Sequence, residues 1–287
     1  MKIGVFSTFM SPTCTQEMVA DFGRRAEQTG LESIWIGEHV VLFDNMEFPY
    51  RASKDGKVPV PPGGGLLDPT PVIGILGAVT KRLRFATGIT LVPQRNPIYT
   101  AKEFATLDWL TNGRVSLGVG VGWCKEEVLA CGYTWEDRGE RCDEFLELIK
   151  ALWTKPEVTY EGKHVQVSVA RMDPKPVQKP HLPIIVGGHS KAGFRRAAKY
   201  GDGWYGFALD VDGARRALSM LDAALKEQGR SRAGFEISIT PPGPVTSELV
   251  KAYADLGVDR VIAMLGNQKP ENVTRQLGVF EALVRAV

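Results

Sequence analysis

The chain has 287 residues, 44% of them hydrophobic, with 35 basic side chains set against 33 acidic ones. That length and apolar content suit one barrel-sized domain or two ordinary ones, and a near-neutral charge without long single-sign runs argues against nucleic acid as a partner. The four cysteines form no C-x-x-C pair and share no metal-ligand spacing with the four histidines, so no metal is expected and the thiols read as reduced. MKIGVFSTFM is too short and too soon interrupted for a signal peptide, and no apolar run reaches membrane-spanning length, which predicts a soluble cytoplasmic protein.

The first β-rich run is Ile3 to Ser7. It leads into TQEMVADFGRRAEQTG, where Met18, Phe22 and Ala26 recur at helical spacing and Gly30 supplies the stop. The second run, SIWIGEH, ends at Glu38 and His39. Residues 40 to 67, with VPVPPGGG, then break the alternation; a long loop leaving the C-terminal end of a strand is expected over an active-site mouth. The third run, RFATGITLV, precedes a helix from Pro97 to Leu110, and the fourth is RVSLGVGVGW. Asp137 with Glu140 three residues on reads as a capping box for a helix carrying Phe145, Leu146, Ile149 and Leu152. Residues 156 to 182 alternate around Glu161 and Gly162 and then turn proline-rich, a hairpin and connection expected on the face opposite the site.

PIIVGGHS is the fifth run. GWYGF is the sixth, followed by a helix from about Asp210 to Lys226. FEISIT, the seventh, leads into SELVKAYADLG, and RVIAML, the eighth, into a last helix ending near Arg285. Eight strand-helix units predict a parallel sheet closed as a (β/α)8 TIM barrel, one domain over 1–287 rather than two doubly wound ones, with insertions after strand two and before strand five.

In such a barrel, function sits at the C-terminal strand ends, where this sequence is rich in glycine and has no G-x-S-x-G elbow or Walker loop. Gly187 and Gly188 close strand five, and Ser190 stands where a helix begins. Glycines let backbone approach a ligand, and a capped helix start favours an anion such as phosphate. The same residues also make an ordinary capped turn, and the sequence leaves both readings open. Gly88 inside strand three marks a bulge or a close approach of backbone to ligand.

The segments IWIGEH, FATGITLVPQRNPIYTAKEFATLDWLTNGRVSLGVGVGW, PKPVQKPHLPIIVGGHS and GDGWYG together resemble the bacterial luciferase-like monooxygenase superfamily, in particular its branch of reductases and dehydrogenases that use the deazaflavin coenzyme F420. The resemblance covers the whole chain and is most specific from Phe85 to Trp123. It implies hydride transfer between F420 and a small-molecule substrate in a homodimer; an FMN-dependent monooxygenase and a cofactor-free binding protein are the alternatives. Carried over by position, it implies a cis peptide between Gly88 and Ile89 that backs the cofactor ring next to Thr87. It makes Gly120, Val121 and Gly122 a wall beside the ring, and Gly187, Gly188, His189 and Ser190 the phosphate side. His39, with Glu38 beside it, falls at the catalytic position near the reactive edge. Some F420-dependent sugar-phosphate dehydrogenases carry a carboxylate just after the fourth strand's glycines, where this chain has Trp123, which argues against the same substrate and the same acid. Glu126 and Glu127, a few residues on, read as solvated charges at a helix start or as a replacement for that acid, and Trp123, Trp204 and Tyr205 as walls of a substrate pocket or as ordinary barrel-end packing.

Overall fold

Strand β1 (Lys2–Ser7) is paired on both sides by parallel neighbours from opposite ends of the chain: β2 (Ser33–Ile36), in register from Gly4 opposite Ser33, and β11 (Arg260–Met264), in register from Lys2 opposite Arg260. A first strand held by the second and the last is what closure requires. The computed structural model describes every residue except 51, 52, 54, 267–269 and 287. Around the ring, β2 pairs β3 (Arg84–Thr87) and β3 pairs β5 (Val115–Gly120). Strand β5 then pairs β8 (Ile184–Gly187), and β9 (Gly203–Phe207) and β10 (Glu236–Thr240) lead back to β11. The result is a closed eight-stranded parallel barrel. The short β4 (Thr90–Leu91) continues the third strand beyond Gly88, and β6 (Val158–Glu161) with β7 (Gln166–Ala170) forms a separate antiparallel hairpin.

Outside the barrel lie α1 (Gln16–Gln28), α2 (Pro69–Val79), α3 (Pro97–Leu110), α4 (Lys125–Ala130) and α5 (Arg138–Thr154). They are followed by α6 (Lys191–Tyr200), α7 (Val211–Glu227), α8 (Ser247–Ala254) and α9 (Pro270–Arg285). Outward strand residues such as Val5, Ile34, Ile36, Phe85 and Val186 pack against these helices in the main core, with Phe22, Leu76, Phe104, Phe145 and Phe194 on the helix side. The alternate positions point inward, because successive side chains of a strand leave opposite faces. They form layers. At the N-terminal end, Arg260 closes the barrel with paired bonds of 2.8 and 2.9 Å to Glu32, further bonds to Glu236 and one to the Ser238 hydroxyl. Above it, Phe6, Trp35, Ala86, Ile185, Tyr205 and Ile262 form an apolar layer, and the cavity opens on top of that layer.

Two local outcomes differ from the sequence reading or go beyond it. Asp137 precedes α5 but does not cap it: its carboxylate is taken by the Thr134 hydroxyl at 2.5 Å and by Arg141, so the expected capping box is absent. Helix α2 has no counterpart in the reading; Asp68 caps it, accepting from Thr70 N at 2.9 Å, and its sequence PTPVIGILGAV is too uniformly apolar to show a helical stripe. The hairpin stands as expected. Its turn is tied to α5 by the Glu144 carboxylate, which accepts from the backbone N–H of Lys163, His164 and Val165 at 2.8–2.9 Å. The connection after it crosses the start of β5, where Gln178 Nε2 donates to Val115 O at 2.7 Å, on the face away from the cavity.

Candidate active site

The third strand makes the first wall. Ala86 lies opposite Ser116 and Thr90 opposite Val119, so four steps along this strand match three along β5, and one extra residue is inserted. That is a bulge, at the position the glycine marked. The Gly88–Ile89 peptide within it is cis. Thr87 points away from the cavity. Its hydroxyl donates to Gly118 O at 2.8 Å and accepts from Gly118 N at 3.0 Å, joining the two strands where the regular ladder is interrupted. Ile89 projects from the bulge into space kept free by glycine: a Cβ on Gly120 would overlap its Cδ1, and one on Gly187 would stand 3.1 Å from its Cγ2.

The cavity behind Ile89 has a volume of about 620 Å³, within the range of small-molecule and cofactor sites. Phe6, Tyr205 and Phe207 form its floor, with Tyr205 Oη bonded to the Thr240 hydroxyl at 2.7 Å. Gly120, Val121, Gly122 and Trp123 form one side, and Gly187 and Gly188 another. The insertion after strand two supplies the roof, through Tyr50, Val58, Pro59 and Leu66. Its end is fastened to the loop after β1, Ser11 N donating to Gly65 O at 2.9 Å and Leu67 N to Phe9 O at 2.8 Å. This is the covering position expected of residues 40 to 67; Arg51, Ala52 and Lys54 lie outside the described residues.

At the phosphate-side loop the two glycines differ. Gly187 makes room for Ile89, whereas a Cβ on Gly188 would meet nothing within 4 Å, and its φ of +111° excludes an L side chain without strain. Gly188 therefore presents bare backbone to open space. Ser190 caps α6, accepting from Gly193 N at 3.1 Å, and the first turn of α6 carries no acidic residue to repel an anion. His189 Nε2 accepts from Phe207 N at 3.2 Å, which leaves Nδ1–H to donate outward. Trp204 is a correction to the pocket reading. It is fully buried behind the loop, with Nε1 donating to Gly188 O at 2.9 Å, because Tyr205 faces the cavity and its strand neighbour must face the helices.

Glu38 and His39 follow β2 after Gly37, and both line the cavity. Glu38 is held sideways, accepting from Arg95 at 3.2 Å and from Leu91 N at 3.4 Å, while Arg95 also reaches Glu103 at 2.9 Å. Burial dominates its electrostatics and pushes the carboxyl up to about 7 against the pull of Arg95. His39 has a partner the sequence reading missed. Its Nδ1 lies 2.9 Å from Glu127 Oε2, and Glu127 Oε1 accepts from Val40 N at 2.6 Å. Glu127 is wholly buried, so its reading as a solvated charge is overturned; Glu126 instead caps the backbone N–H of Glu47 at 2.8 Å. A carboxylate only accepts, so Nδ1 carries the proton in this pair and Nε2 is the imidazole atom left to exchange one. Trp123 packs edge-on to the same ring at 5.6 Å. Among the described residues, no cluster of His, Cys, Asp and Glu is arranged to hold a metal, and no helix is long and apolar enough to cross a membrane.

Comparison with known proteins agrees with this geometry. An uncharacterized protein of Mycobacterium tuberculosis is 34% identical over 83% of this chain and 84% of its own. An F420-dependent glucose-6-phosphate dehydrogenase of Microbacterium testaceum is 31% identical over 83% of this chain and 69% of its own. An FMNH(2)-dependent dimethylsulfone monooxygenase of Pseudomonas putida is 30% identical over 54% of this chain and 43% of its own. Among solved structures, an F420-dependent secondary alcohol dehydrogenase in complex with an F420-acetone adduct superposes with a TM-score of 0.80 at 18% identity, covering 100% of this chain and 98% of that one, a likeness of fold. The sequence model of the luciferase-like monooxygenase family matches residues 1–279, and the chain belongs to that family.

Proposed function

We propose that the chain is an F420-dependent oxidoreductase interconverting a carbonyl compound and its alcohol. The observation that carries the reading is the His39–Glu127 pair, whose imidazole lines the same cavity as Ile89. Carbonyl reduction needs a hydride at carbon and a proton at oxygen, and the reverse reaction returns both. Bound deazaflavin supplies or accepts the hydride. The residues present fit such a group: Gly88, Ile89 and Gly120 to Gly122 would flank its ring, and Gly188, His189 and the start of α6 would take its phosphate, where a Cβ on Gly188 would fill the cradle.

The chain itself handles the proton. Glu127 fixes the imidazole through Nδ1, and His39 Nε2 gives its proton to the carbonyl oxygen in reduction or removes the hydroxyl proton in oxidation. The roof of Tyr50, Val58, Pro59 and Leu66 limits access of water to that exchange. Support for F420 over FMN comes from the F420-dependent relative, which aligns with far more of the chain than the FMNH(2)-dependent one.

Parallel titrations with F420 and FMN, each followed by fluorescence, test the reading. Preferential F420 binding, together with bleaching or recovery of its absorbance when ketone or alcohol is added, is the expected result. Tight FMN binding with oxygen consumption would make the protein a monooxygenase, and binding of neither would leave a cofactor-free relative of the fold.

A further inference from the structure

A second cavity, of about 410 Å³, lies against the first and shares His39, Val58, Pro59 and Trp123 with it. Trp123, which lines both, meets the His39 ring edge-on at 5.6 Å and the Tyr50 ring at 5.4 Å. Whatever reacts beside His39 therefore lies at the junction of two spaces, one flanked by the bulge and the other bounded by the first part of the insertion. Val41, Leu42, Phe43 and Met46 line the second space and none of them reaches the first. These four side chains remain only partly covered, and Val41 is 41% exposed, which is an apolar surface without a described protein partner.

Charge narrows the occupant. The described residues lining the first cavity include no lysine or arginine, and Lys57, the only one of the second, is bonded to Asp44 at 3.1 Å. Away from the start of α6, whose backbone N–H groups the cofactor phosphate would take, a phosphorylated or carboxylated substrate would need an uncommitted cation, preferably a bidentate one, to replace its hydration. An apolar chain needs only wall.

From this we infer that the second cavity is a substrate subsite, holding the chain of an extended, uncharged ketone or secondary alcohol whose reacting carbon lies at His39. The inference rests on the hydride-transfer reading for the identity of the reacting group, but the subsite itself is a binding property and is measurable without turnover.

Calorimetric titration with straight-chain methyl ketones, from 2-butanone to 2-decanone, and with glucose 6-phosphate tests it, on the protein with and without F420. Affinity is expected to rise about two- to four-fold per added methylene, with glucose 6-phosphate binding more weakly than the longer ketones. Leu42→Trp, which fills the second cavity from a position outside the first, is expected to stop that rise at short chains and leave 2-butanone unaffected; Met46→Trp serves as a second plug should the first variant fold poorly. Affinity independent of chain length, a length dependence that both plugged variants preserve, or tighter binding of glucose 6-phosphate than of every ketone would overturn the subsite. Chain-length dependence in a protein that binds no F420 would uphold the subsite and remove the F420 reading instead.

Discussion

Replacing Glu127 with glutamine keeps the shape of the side chain but removes its negative charge and turns one of its two acceptor atoms into a donor. In the native arrangement Oε1 accepts from Val40 N at 2.6 Å and Oε2 faces His39 Nδ1 at 2.9 Å. Val40 N–H can only donate, so the glutamine oxygen must stay on that side and the NH2 group must turn toward His39. Nδ1 then becomes the acceptor and the neutral imidazole moves its proton to Nε2, so the atom facing the cavity loses its lone pair. In the protonated imidazole, Nδ1–H would point at a second donor. What is lost is a hydrogen bond to a charged group in a fully buried setting, worth about 1.5–3 kcal/mol, or roughly ten- to a hundred-fold in the proton-dependent step. The chain has four histidines, few enough for their ¹⁵N imidazole signals to be assigned one by one. Glu127→Gln should convert His39 from the Nδ1–H to the Nε2–H form, slow ketone reduction by that factor and leave F420 affinity within a few-fold. An unchanged His39 tautomer with an unchanged rate would refute the positioning role and make Glu127 a backbone cap for Val40 alone.

Glu38 gives a stability test. Its carboxyl is pushed up to about 7 in the folded protein, so between the ordinary carboxylate range and pH 7 the folded state holds a proton that the unfolded chain has released, and stability contributed below that range is lost as pH rises. Melting temperature should therefore decline more steeply from pH 5 to pH 8 in the native protein than in Glu38→Gln, and parallel profiles would contradict the burial argument. At Gly188 a Cβ meets no atom within 4 Å, so Gly188→Ala should lower the melting temperature by only about 2–4 °C, the scale of 1 kcal/mol in a chain of this size, while weakening F420 binding at least about ten-fold; equal losses would return the loop to an ordinary turn. At Gly118 a Cβ would run into the Thr87 carbonyl, backbone that cannot move aside. Gly118→Ala should therefore cost at least about 1–3 kcal/mol, the scale of core overpacking, in chemical denaturation, and a neutral result would mean that the bulge is more pliable than its pairing suggests.

The barrel was legible because its evidence is periodic. Each strand announces itself within five or six residues, and the count of eight decides the closure, as the pairing of Lys2 with Arg260 bears out. The bulge was legible because a single glycine in a buried strand has few other uses. Helix α2 was not, since prolines and glycines interrupt a sequence that is apolar on every side. Trp204 was misread although the rule that places it is local. Adjacent strand residues face opposite ways, so Trp204 and Tyr205 could never both have lined one cavity, and recognising the aromatic pair as a unit obscured the alternation.

Glu127 is a different kind of miss, because no local rule reaches it. Strand β3 stands between β2 and β5 in the barrel, so the residues that follow β2 and β5 are not neighbours by strand order. They meet because the bulge lets the third strand run on as β4, pairing Leu91 with Gly120 while Leu91 N donates to Glu38. With the chain after β2 fastened there and the short helix α4 starting at Lys125, soon after β5 ends at Gly120, the His39 imidazole and the Glu127 carboxylate are brought within bonding distance across 88 positions of sequence. One local sign was available. In CKEEVLA, Cys124, Glu127 and Val128 fall on one face at helical spacing, and two of those three are residues that proteins bury, so the third was a candidate for burial as well. A carboxylate on a buried face requires a donor, and the donor here is the histidine that the end of strand two had already marked.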